Sequence, residues 1–113
     1  MASDVEVEKR LMVEFHNEHF GTSYDTYDEV EAQLKRIVNE KKFPEMYKED
    51  TDTAYDLARM IDDIRLIDSL GKDGIRVHIQ NPASPVHEQI LILMMEWIQL
   101  REKYLHIGGE GND

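Results

Sequence analysis

The segment that most constrains this chain runs from Ser84 to Leu105, SPVHEQILILMMEWIQLREKYL. Ser84 as N-cap followed by Pro85 at the first helical position is a strong helix start, so a helix is expected over about 85–106. Val86, Ile90, Leu93, Trp97, Leu100 and Tyr104 follow at heptad-like spacing. Met94, Ile98, Arg101 and Leu105 flank that line, while Leu91, Ile92 and Met95 point elsewhere. A helix that is apolar almost all round has to be buried almost all round. Three other helices can cover one side, and a second copy of the chain can cover the other. Ile90, Leu93, Met94, Trp97, Ile98, Leu100 and Tyr104 are therefore the expected oligomer interface. The longest apolar run, Ile90 to Met95, is far too short to span a membrane.

Upstream, the periodicity predicts three more helices. Ser3 and Glu6 form a capping box, Val7, Leu11 and Phe15 follow at helical spacing, and Gly21 is a stop, which places a helix over about 4–20. Thr26 and Glu29 form a second capping box before Val30, Leu34, Ile37 and Val38, giving a helix over about 27–41 that ends at Phe43-Pro44. Met46 and Tyr47 are expected to plug the core from the linker. Thr53 can cap a third helix over about 54–70, with Leu57, Ile61, Ile64 and Asp68 on one line and Gly71 as its stop. Ile75, Val77 and Ile79 then alternate with Arg76, His78 and Gln80, which predicts a short strand over 75–80. A lone strand leaves half its backbone groups unpaired, so it needs a partner strand or is merely extended. The expected fold is thus mostly α, a four-helix domain over 1–107 with a short extended segment before the last helix. A flexible acidic tail, 108–113, follows.

Charge is distributed unevenly. The 113 residues carry a formal net charge of −11. Residues 1–50 hold 13 acidic and 7 basic side chains, whereas 85–107 holds only Glu88, Glu96, Arg101, Glu102 and Lys103. Such a field repels nucleic acid at long range and attracts basic partners, although binding depends on local patches. The candidate nucleic-acid contacts are Lys9, Arg10, Lys35, Arg36, Lys41, Lys42 and Lys48, each outnumbered by nearby carboxylates but multiplied if the chain forms a ring. The chain has no cysteine, hence no disulfide framework or thiolate metal site. The opening MASDVEVEKR lacks the basic and apolar regions of a signal peptide, so a cytoplasmic location is expected and no membrane partner.

No arrangement of residues points to catalysis. His16 and His19 are three apart, whereas the zinc helix motif needs histidines four apart with a glutamate between. They are expected simply to end a helix, where histidine is favourable. Asp56, Asp62, Asp63 and Asp68 could be considered as a Mg²⁺ set, but Asp62 and Asp63 are neighbours and point about 100° apart. A metal-dependent nucleotide hydrolase is therefore the weakest reading, and neither metal nor cofactor is expected. The phosphate loop, the dinucleotide fingerprint and the nucleophile elbow are absent from the sequence.

From Tyr27 onward the order of segments is distinctive: YDEVEAQLKRIV, then EDTDTAYDLARMIDDIRLI, then KDGIRVHIQ, then Asn81-Pro82 and the long apolar helix. This order resembles the small terminase subunits of tailed phages. Asp52, Gly74, Asn81 and Pro82 stand where that family opens its second helix, turns, and starts its last helix. The resemblance spans roughly 27–107. It implies a ring-forming, non-enzymatic subunit that recognises viral double-stranded DNA and hands it to the large terminase in the host cytoplasm. The chain departs from the family in an acidic rather than basic N-terminal segment and in its ending, GGEGND. An alternative follows from charge: Asp25, Asp28, Glu29 and Glu31 with Asp56, Asp62 and Asp63 could mimic DNA phosphates, as in an acidic phage-type inhibitor of a host DNA-binding enzyme.

Overall fold

The computed structural model describes residues 4–106 and is mostly helical, with no strand among the described residues. Its helices are α1 (Asp4–Phe20), α2 (Tyr27–Glu40), α3 (Thr51–Ile79) and α4 (His87–Leu100). A 3₁₀ turn, Glu45–Tyr47, lies between α2 and α3, and a π-helical turn, Arg101–Leu105, continues α4. The chain divides into two compact units, Met1–Ile61 and Asp62–Asp113, and the division falls inside α3. Ser3 and the segment 107–113 lie outside the described residues.

In the first unit, α1 packs against α2. The expected capping box is formed: Thr26 Oγ1 accepts from the Glu29 amide, and Glu29 Oε1 accepts from the amides of Asp25 and Thr26 at 3.0 Å each. These amide hydrogen bonds hold the Glu29 carboxyl below the ordinary range. Val30, Leu34 and Ile37 are the buried face of α2, as their spacing predicts. α2 ends one residue earlier than expected, with Lys41 as its left-handed cap at φ 57°. On α1 the deepest line is Glu8, Met12 and His16, not Val7, Leu11 and Phe15, which are half-buried. The two lines are one residue apart on the same broad face, and a pattern of apolar residues gives no weight to polar Glu8 and His16. α3 begins at Thr51 instead of 54 because its cap is Asp50, whose Oδ1 accepts from the Thr53 amide at 3.2 Å.

In the second unit, Gly71 does interrupt α3: it takes φ 73° and ψ 168°, a conformation that favours glycine. Beyond it the expected strand over 75–80 is helix instead, from 72 to 79. The alternation that suggested a strand rests on three residues, and Ile75 and Ile79 are equally one helical turn apart. Without a partner strand, helix is the state that satisfies these backbone groups locally.

The turn into α4 is built by side chains. Asn81 Oδ1 accepts from the Ala83 amide, Ser84 Oγ accepts from the Val86 amide, and His87 Nδ1 donates to the His78 carbonyl at 2.7 Å. Ser84 therefore closes a turn, and α4 begins at His87, two residues later than its Ser-Pro pair suggested. At the far end, Leu105 follows Trp97 by eight residues. An ideal helix at about 100° per residue would place it about 80° away from Trp97. The wider π turn brings Leu105 back towards the side that buries Trp97, and both are buried.

Candidate interaction surface

The apolar residues of α4 separate into two lines. Ile90 and Trp97 are buried, at 6% and 7% exposure. Leu93, Met94, Leu100 and Tyr104, also expected at the oligomer interface, are half-buried, and only Ile98 of that set is exposed. The exposed line is Leu91, Ile92, Met95 and Ile98, with 37%, 62%, 60% and 46% of their surfaces open. At about 100° per residue these four fall within an arc of about 120°, on the side opposite Ile90 and Trp97. The outer line shares only Ile98 with the residues expected at the interface, and Leu91, Ile92 and Met95 were expected to point elsewhere. An all-round apolar helix carries no polar face to mark which side is outward. Arg101 stacks its guanidinium 4.3 Å from the Trp97 ring, covering the indole at the end of the inner line. Among the described residues eight large apolar side chains are exposed, and of these Tyr55 alone belongs to the first unit.

The seven candidate DNA contacts all belong to the first unit. Arg36 pairs with Glu40 at 3.4 Å and Lys48 with Glu45 at 3.2 Å. Lys9 lies over the Tyr27 ring at 5.2 Å. Lys9 and Arg10 also line an open groove between α1 and the start of α2, together with Glu6, Glu14, Asp25 and Asp28. Four carboxylates against two cations leave this groove acidic. Lys35 is exposed within α2, and Lys41 and Lys42 are exposed just beyond its end.

The histidine pair on α1 is structural in a way the sequence did not reveal. His16 is fully buried, with Nε2 2.7 Å from the Tyr47 hydroxyl and Nδ1 2.8 Å from Thr22 Oγ1. The network fixes the proton positions. Asn17 Oδ1 accepts from the Tyr24 amide and its Nδ2 donates to the Tyr24 carbonyl, so its orientation is set. Thr22 then donates to Asn17 Oδ1 at 2.8 Å and must accept from His16 Nδ1–H. Nε2 is left to accept from Tyr47. Burial, with the neighbouring His19 second, lowers the His16 pKa to about 4, so the ring is neutral at pH 7. His19 Nε2 lies 2.8 Å from Asp50 Oδ2, on the carboxylate that caps α3. Hydrogen bonds from Thr53 and then from His19 keep Asp50 below the usual carboxylate range. The two histidines thus bind the end of α1 to the 47–50 segment.

Among the described residues no group of three histidine, aspartate or glutamate side chains is placed to hold a metal ion. No described helix is long and apolar enough to cross a membrane. Of the carboxylates expected to mimic DNA, Asp63 is buried and Glu29 is committed to the α2 cap. Comparison with known proteins found no matching protein family, no matching curated protein and no matching solved structure.

Proposed function

We propose that this chain is a non-catalytic, self-associating helical subunit, and that it serves, like the small terminase subunits it resembles, to recognise viral DNA and pass it to a large terminase. The observation that carries the self-associating part is the exposed apolar line on α4. A segregation of roles supports the rest: every candidate DNA contact lies in the unit Met1–Ile61, and the apolar line lies in Asp62–Asp113. One unit can then assemble while the other meets the polyanion. Single-subunit cation patches here are weak, and assembly multiplies them. The Asn81-Pro82 turn and the apolar helix behind it are the parts of the resemblance that the proposal keeps; the strand is not among them. The test is the native mass of the purified chain together with its binding to double-stranded DNA across a salt series. An assembly of several copies whose DNA affinity falls steeply with salt is expected. A monomer indifferent to DNA would sink the proposal.

The net charge of −11 favours a second function, an acidic partner that blocks a basic DNA-binding enzyme. Tight, salt-sensitive binding of the monomer to such an enzyme, with none to DNA, would select it over the first.

A further inference from the structure

We infer that the Leu91, Ile92, Met95 and Ile98 face of α4 docks a second copy of this chain, α4 against α4; the inference rests on the oligomeric part of the function proposed above. These four residues form one continuous helical stripe, since 91, 95 and 98 stand at i, i+4 and i+7 and Ile92 lies beside them. Their burial within the chain is incomplete while the opposite line, Ile90 and Trp97, is closed. The chemistry around the stripe selects the occupant. No lysine or arginine occurs between Arg76 and Arg101, so a phosphate backbone finds no cation to neutralise it here. The same gap argues against an anionic membrane surface, because interfacial helices carry lysine and arginine on their polar face.

Charge also decides where two copies of a chain with net charge −11 can approach. Between Val86 and Leu100 the only carboxylates are Glu88 and Glu96, so this stripe brings few like charges together. A narrow apolar stripe fits the ridges of another helix, and the same stripe on further copies can meet it about a shared symmetry axis. Four side chains are few against the 20–30 residues a side of a standard interface, so association depends on concentration.

The test is sedimentation equilibrium of the full chain over a concentration series, for wild type, Ile92→Glu, Met95→Glu and the uncharged double variant I92S/M95S, with circular dichroism to confirm retained helix. The expected result is a wild-type mass above the 13.3 kDa of one chain that returns to 13.3 kDa in folded variants. The double variant separates lost burial from added charge and stands in if the glutamate variants unfold. A wild-type assembly that survives all three substitutions overturns the assignment of this face while leaving self-association in place. A wild-type chain at 13.3 kDa throughout overturns both.

Discussion

At pH 7 His16 is neutral because burial holds its pKa near 4 against an ordinary 6.5. Its stability effect has a definite sign. The unfolded chain takes up the proton first, so between pH 6.5 and about 4 the unfolded state binds more protons and stability falls as pH falls. At about 1.4 kcal/mol per pKa unit, the loss across that window is roughly 3 kcal/mol. Protonation would also turn Nε2 into a donor facing the Tyr47 hydroxyl, which now donates to it. Urea unfolding at pH 6.5 and at pH 4 should therefore show a smaller pH-dependent loss in His16→Gln than in wild type. Equal losses in the two proteins would remove His16 from the account. This residue was not legible in the sequence, because its partner Tyr47 lies 31 positions away and a pattern of apolar residues gives no weight to histidine. Tyr47 itself was legible as a core plug, being a large aromatic in a short linker after a proline.

Element boundaries follow the local signals closely where a cap or a glycine is present. The Thr26–Glu29 capping box was readable because its two side chains and its backbone partners lie within five residues. Thr26→Ala should cost about 1 kcal/mol in chemical denaturation, and no loss would mean the box is not formed in solution. Lys41 sits in the left-handed region with its side chain exposed, a conformation that costs a non-glycine residue about 1 kcal/mol. Lys41→Gly relieves that strain against a backbone-entropy cost and is expected to stabilise by about 0.5 kcal/mol. A destabilised variant would place the end of α2 elsewhere. The segment after Gly71 was misjudged because three alternating residues are too few to distinguish a two-residue period from a four-residue one. The start of α3 was misjudged because Asp50 and Thr53 are both competent caps, and only the structure shows Asp50 accepting from the Thr53 amide.

For the whole molecule, the opposition is between a net charge of −11 and an apolar face on α4. The charge keeps copies apart at long range, and salt screens it, with a screening length of about 10 Å at 0.1 M ionic strength. Burial of the α4 face does not depend on screening in this way. Self-association should therefore strengthen as salt is raised, whereas binding to DNA through lysine and arginine should weaken. The two interactions proposed for this chain carry opposite salt signatures. The all-round apolar character of α4 was legible from its sequence, and with it the expectation of a second copy. Which side faces outward was not, since that depends on what the Ile90–Trp97 line packs against.

The most direct test of self-association is the native mass of the wild-type chain by sedimentation equilibrium, at low and at high salt. A mass that exceeds 13.3 kDa and grows with both concentration and salt is the predicted result. A mass of 13.3 kDa under every condition would contradict it, leaving the acidic surface as the part of the molecule that meets a partner.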